Sequence, residues 1–460
     1  MAIETSGAQR PTATARPYHP APMPGVRGFL DRKRHLPFSR RRGRRGYGFS
    51  TGLVAVLCLA AFGPYVTGSI RTEQLAVYAL APLVLLSLPR LRPWAWPFLL
   101  AWGFMLFIAS LGVAFPYRGV RLWDSGSLLA GADNYLLPLM VMLAVWTLVS
   151  TRATIPALRT AAGVIGFGAA INGAIAAVST VTPLDAILRP FWGAAAAGSV
   201  VAERAATNGR LSGIFNQPAE AGLVYSLAAI LVVWAFSRRR LLMYPLLALI
   251  LVGGMLTVSK IFLLVGLPIA GVLLWLTQRG TARLGIIVLA AGFLAYLGSS
   301  SFFREWSGSD YLLRLLDRPE DQTVLEFYTA GRWSEGASVL EVIGFILDRS
   351  PMVGVGLAGL RVPYDAQWTE TMVFGGVLGT LAIVAMLGLL LASFVRIRER
   401  STRLMALAVW ALLVGASFGL PALTANRAAT LVWVVAGLLV LARHAAPKRH
   451  LAPGRHPGTR

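Results

Sequence analysis

Between positions 51 and 443 the chain breaks repeatedly into apolar stretches long enough to cross a bilayer, and this limits what it can fold into. A hydrocarbon core about 30 Å thick takes roughly 20 residues of helix. No water reaches loose backbone groups there, so spanning segments are helices or a closed barrel; continuous apolar runs, unlike alternating ones, select helices. The runs lie near 51–69, 73–89, 95–114, 134–150, 155–181, 217–236, 241–258, 261–277, 284–298, 367–395, 403–421 and 428–443. The expected fold class is therefore all-α, a polytopic membrane protein with about 12 transmembrane helices. With 14% charged residues in 460, the chain is too poor in charge to cover a soluble surface of that size.

The basic residues orient the runs. Arg90/Arg92, Arg152, Arg238–Arg240, Arg279/Arg283 and Arg396/Arg398/Arg400/Arg403 fall in alternate gaps, in phase with both tails. Short cationic gaps stay on the cytoplasmic side. The organisation expected is a disordered basic cytoplasmic tail at 1–48, nine helices over 49–298 with external loops 115–133 and 182–216, an external loop subdomain at 299–366, three helices over 367–443, and a second basic tail at 444–460. Positions 1–50 hold eleven Arg/Lys and two acids, a polar stretch too long for a secretory signal. The formal net charge of +23 is concentrated in that tail and in short gaps, which suits an anionic membrane surface and excludes nucleic acid as the partner. The shortest gap, Ser259-Lys260, is the weakest break between two helices.

Chemistry is bounded by scarcity. Cys58 is the single cysteine, and all five histidines lie in the tails, so the membrane core has no imidazole base or ligand. Of 20 acids, 11 fall between Ser299 and Glu370, against six in 51–298. Most solvate a polar loop. Asp365 and Glu370 stand apart, at and just inside the start of a membrane helix, where a carboxylate is costly unless used, although Asp365 also suits a helix N-cap.

The stretch 329–379 focuses these features. Ser334 is expected to cap a helix with Ala337, Leu340, Ile343 and Leu347 on one face, ended by Ser350-Pro351. Gly354, Gly356 and Gly359 follow, then Arg361, Asp365 and an apolar run. The spacing fits a dinucleotide fingerprint, but it follows a helix rather than a strand, so that reading is rejected. An arginine before the helix, Arg332, and a carboxylate at membrane re-entry, Asp365, form an arrangement suited to a charged head group. Arg210 precedes Gly213 and Pro218 on a second bent segment. Arginine binds phosphate with a two-pronged fork and stays charged. Arg361 and Arg349 are secondary cations, Arg118 and Arg121 beside Trp123 are interface anchors, and Lys260 either snorkels or faces the cavity to meet a phosphate or a carboxylate.

The order Gly331-Arg332, Pro351, Gly354-Val355-Gly356, Asp365 and Gly376, together with Arg210, Gly213, Phe215 and Pro218, resembles the core of the O-antigen polymerase and O-antigen ligase superfamily. That resemblance implies a GT-C-like architecture in the bacterial cytoplasmic (inner) membrane, with both termini cytoplasmic. It implies a membrane glycosyltransferase whose donor is a glycan on polyprenyl diphosphate at the external face. Its partners would be that lipid-linked oligosaccharide, a glycan acceptor, membrane lipid, and a chain-length regulator and flippase. On this reading Asp365 and Glu370 are catalytic, and Arg210, Arg332, Arg361 and Lys260 bind the diphosphate. Neutralised diphosphate leaves readily, the acceptor hydroxyl needs a carboxylate base, and displacement inverts the anomeric carbon, with no metal and no cofactor. In the superfamily it resembles, ligases place a histidine at the position Asp365 occupies, which favours a polysaccharide polymerase over ligase-type transfer to a lipid. A polytopic transporter or flippase is the third reading; buried acid–base pairs within spans would favour it, and Asn172 is the main polar group the sequence places there.

Overall fold

The structure is a computed structural model that describes residues 38–67, 70–114, 127–193, 197–278, 283, 306, 308–314, 322–329, 331–334, 336–361 and 364–445. In chain order the elements are α1 (Phe38–Ala60), the strands β1 (Tyr65–Thr67) and β2 (Ile70–Arg71), α2 (Thr72–Ala79), α3 (Ala81–Ser87), α4 (Trp96–Ala114), α5 (Leu128–Leu148), α6 (Thr154–Val178), α7 (Asp185–Trp192), α8 (Ala197–Thr207), α9 (Pro218–Phe236), α10 (Arg240–Leu256), a π-helical turn (Ile261–Gly266), α11 (Leu267–Thr277), α12 (Ser309–Arg314), α13 (Val324–Thr329), α14 (Ser338–Arg349), α15 (Gln367–Val395), α16 (Arg400–Ala416) and α17 (Asn426–Arg443). The chain is mostly helical, and among the described residues six helical segments are long and apolar enough to cross a membrane. They are Thr72–Arg90, Pro93–Val113, Leu128–Leu148, Thr154–Val178, Pro218–Phe236 and Gln367–Val395. Tyr47–Ala60, Arg240–Leu256 and Ile261–Thr277 are shorter apolar helices. The run at 284–298, the acids Asp317, Glu320, Asp321 and Glu335, and Arg118, Arg121 and Trp123 lie outside the described residues.

One boundary departs from the sequence reading, while the break expected at Ser259-Lys260 is present. The first run ends at Ala60, and residues beyond it form a short antiparallel hairpin that pairs Tyr65 with Arg71. The Thr257–Lys260 gap is a true break. Val258 adopts φ 45°, a strained angle for a β-branched residue, so α10 and the π-turn are separate elements.

α9 is the hub. It is buried nearly all round, from Glu220 to Trp234, and packs against α6, α10, α11, α16 and α17. Outer helices bury one face and leave the other apolar: Leu100, Phe107, Leu129, Ile171 and Leu381 are each more than half exposed. That suits a lipid solvent rather than water.

α14 begins three residues later than expected. Ala337, not Ser334, is its N-cap, and the Ser334 hydroxyl donates to the Gly331 carbonyl. Its buried stripe is Val339, Val342 and Ile346, while Leu340 and Leu347 are exposed. Both stripes have helical spacing, so periodicity alone does not choose between them.

The glycine loop after α14 is a clasp rather than a ligand cradle. Gly376 interrupts α15 with φ 58° and ψ −153°, a conformation open only to glycine. The break frees backbone groups, which the loop takes up: Val355 N–H donates to Val373 O at 2.8 Å, Val377 N–H to Pro351 O at 2.8 Å, and Leu378 N–H to Met352 O at 3.2 Å. On its other side Leu357 N–H donates to Ala109 O of α4 at 3.1 Å.

Candidate functional site

Lys260, Arg332 and Asp365 converge at one end of the bundle. Arg332 comes from the turn after α13, Asp365 from the segment entering α15, and Lys260 from the strained turn leading into the π-helix. Arg332 Nε lies 3.2 Å from Asp365 Oδ2, and its Nη1 donates to Gly419 O at 3.3 Å. The Asp365 partner is thus Arg332; Arg361, four positions before Asp365, is exposed and has no side-chain hydrogen bond or ion pair among the described residues. Burial raises the Asp365 carboxyl above its ordinary value, and Arg332 offsets part of that rise. Lys260 donates to Phe327 O and sits 4.7 Å from the centre of the Phe327 ring. Its ammonium is pushed below its usual value, first by burial and then by the positive charge of Arg332. Two cations and one anion leave the cluster with a net positive charge, so a bound anion would relieve the Lys260–Arg332 repulsion.

The polar loop is fixed onto this end by bonds to the last turn of α16 and to the α16–α17 connection. Tyr328 Oη donates to Gly415 O at 3.0 Å, and Trp333 Nε1 donates to Phe418 O at 3.3 Å. Trp333 and Trp368 flank Phe418 with ring centroids 6.3 and 5.9 Å away. These half-buried aromatics beside the Arg332–Asp365 pair offer apolar faces for a ring-shaped ligand.

Arg210 reaches the same turn from another segment. Its Nε donates to Thr257 O at 3.3 Å, three residues before Lys260, and it lines a cleft of about 580 Å³ with Asp185, Arg189 and Glu203. Gly213 follows at φ 62°, where Asn172 receives the backbone: its Nδ2 donates to Ser212 O and its Oδ1 accepts from Ile214 N–H. The motif therefore forms a rigid bend that carries Arg210.

Glu370 lies one turn deeper and is 2% exposed. Its carboxylate accepts from Thr424 Oγ1, from Gln367 Nε2 at 3.1 Å and from Asn134 Nδ2 at 3.5 Å. A substrate group would have to displace these donors to reach it.

Sequence reasoning missed a buried charged belt beside this mouth. Arg71 Nε lies 3.0 Å from Glu73 Oε1, close but not aligned for a hydrogen bond, and its Nη2 lies 3.2 Å from Asp133 Oδ2. Arg427 donates to Phe191 O at 2.7 Å and Ile214 O at 3.1 Å, and the adjacent Ala428 N–H donates to Glu220 Oε1 at 3.3 Å. Arg427 thereby ties the segment carrying Arg210 to α17. Glu73, Glu220, Glu370 and Arg427 all sit in the first turns of their helices. Acids favour that position, and the one signal available was the acid at the start of three apolar runs.

Among the described residues no three carboxylate, imidazole or thiolate groups come together to hold a metal ion. No family model matches the sequence, and no curated protein is similar to it.

Proposed function

We propose that the protein is a multi-pass membrane glycosyltransferase of the O-antigen polymerase and ligase type, acting as a polysaccharide polymerase on glycans carried by polyprenyl diphosphate. The observation that carries this reading is the meeting of Lys260, Arg332 and Asp365 at one mouth of the bundle, a net positive site with one carboxylate and an aromatic wall. In this reading the mouth faces outward, both termini are cytoplasmic, the chain crosses a bacterial cytoplasmic membrane about 12 times, and Arg210 adds a cation from the neighbouring bend.

The chemistry follows from those groups. The acceptor hydroxyl oxygen attacks the anomeric carbon of the donor glycan. The carbon–oxygen bond to the diphosphate breaks, its electron pair leaves on the lipid diphosphate, and Lys260 and Arg332 stabilise that charge. The hydroxyl proton passes to Asp365 and then to solvent. Glu370 holds Thr424 and Gln367 behind the site. Ligase-type transfer is the nearest alternative. Buried charges at Glu73, Glu220 and Arg427 are what a transporter would carry, but all three sit in the first turns of their helices, and among the described residues they do not continue as a relay along the spans.

The test is purified protein in detergent with a synthetic polyprenyl-diphosphate oligosaccharide, read on a gel. A ladder of lengths is expected. Single transfer onto a lipid without diphosphate would move the assignment to ligase. Passage of unchanged lipid-linked oligosaccharide across proteoliposomes, with no new bond, would overturn the enzyme reading.

A further inference from the structure

The opposite end of the bundle holds a second charged site that the proposed chemistry does not use. A cavity of about 450 Å³ opens there, lined by Arg159 of α6, Trp234 at the end of α9, Ser237, Arg238 and Arg239 of the α9–α10 turn, and Glu399 before α16. Its separation from the mouth follows from two helices. Glu220 to Trp234 along α9, and Ser401 to Gly415 along α16, each span 14 residues, about 21 Å at 1.5 Å per residue.

Three features make this end anion-seeking. Arg159, Arg238 and Arg239 are exposed, and their side chains make no hydrogen bond or ion pair among the described residues. Glu399 is the one lining acid, and its carboxylate is engaged by the hydroxyls of Ser401 and Thr402 at 2.9 and 2.8 Å, so the lining keeps an excess of positive charge. Finally, α10 starts at Arg240 with no acid in its first turn and no side-chain cap on its free N–H groups. Arginines crowded at the positive end of a helix repel it, a conflict that a bound anion removes.

We propose that this cavity binds the phosphate of an anionic phospholipid head group. The phosphate would lie among Arg159, Arg238, Arg239 and the α10 N-terminus. The lipid source is favoured because the cavity closes the ends of membrane-length apolar helices and has Trp234 in its wall, an aromatic suited to head-group depth. This site is independent of the glycosyl-transfer reading.

The experiment is native mass spectrometry of the full chain, titrated with dioleoyl-phosphatidylglycerol and in parallel with dioleoyl-phosphatidylcholine and inorganic phosphate. One retained phosphatidylglycerol per protein is expected, bound more tightly than the choline lipid. At about fivefold per arginine, the R159A/R238A/R239A variant should weaken it roughly 100-fold. Elution as a single species checks its fold. Arg152→Ala, an exposed arginine of the preceding turn outside the cavity, should change nothing. Equal binding by the triple variant and wild type would overturn the proposal. So would an equal loss in Arg152→Ala, the mark of a diffuse charged belt. Inorganic phosphate bound as tightly as the lipid would overturn the lipid assignment in favour of free phosphate.

Discussion

Replacing Gly376 by alanine tests whether the glycine clasp positions the mouth of the bundle. A Cβ at this residue would lie 2.5 Å from the Pro351 carbonyl oxygen and 2.5 Å from the Met352 carbonyl carbon, both backbone atoms that cannot rotate aside. An alanine forced into this backbone conformation costs about 1–3 kcal/mol. Pushing the loop away also removes the three hydrogen bonds from Val355, Val377 and Leu378, each worth about 0.5–1.5 kcal/mol. Together the loss is roughly 3–7 kcal/mol, enough to disrupt a marginally stable chain. Gly388 is the internal control: it lies in the same helix, and a Cβ there meets nothing within 4 Å. Gly388→Ala should be neutral or gain up to about 1 kcal/mol of helix propensity. The assay is recovery of the monodisperse peak after stepwise heating in detergent, with amide exchange at Val355, Val377 and Leu378 as the local readout. A Gly376→Ala protein that melts with wild type and keeps those amides protected would refute the clasp.

Two further predictions concern the mouth. Arg332 lowers the pKa of both Asp365 and Lys260, so in Arg332→Gln both should rise; if Asp365 works ionised and Lys260 charged, the acid and alkaline limbs of the residual activity both move to higher pH, and a fixed or downward acid limb would separate Asp365 from Arg332. The proposed orientation predicts that, in a Cys58→Ala background, Asp310→Cys is labelled in intact cells by an impermeant thiol reagent and Ser401→Cys is not, both positions being exposed; the reverse pattern would invert the topology.

The membrane class was legible because a run of some 20 apolar residues has few other solutions. Most expected runs recur as helices within a few residues, since caps and prolines mark their ends. Arg332, Asp365 and Lys260 stood out as charges where charge is costly, yet their pairing was not readable: 33 positions separate Arg332 from Asp365, while Arg361 lies only four positions away. The α14 face was ambiguous because two apolar stripes share one helix. Arg427 was missed for a similar reason. An arginine at the start of an apolar run reads as an interface anchor. Only the folded chain brings it to the carbonyls of Phe191 and Ile214. The role of Gly376 depends on a loop 21 to 25 residues upstream that fills the break it makes.

The central claim is that Asp365 assists the acceptor hydroxyl beside the Lys260–Arg332 pair and that the product is a polymer. Asp365→Asn keeps size but removes the charge; Asp365 is part-exposed and does not cap α15, whose N-cap is Ala366 rather than the aspartate the sequence suggested, so the fold should hold. In the detergent assay with a synthetic polyprenyl-diphosphate oligosaccharide, wild type should give a ladder and Asp365→Asn should lower turnover by about 10²-fold or more. A wild-type ladder matched by an equally active Asp365→Asn would contradict the account.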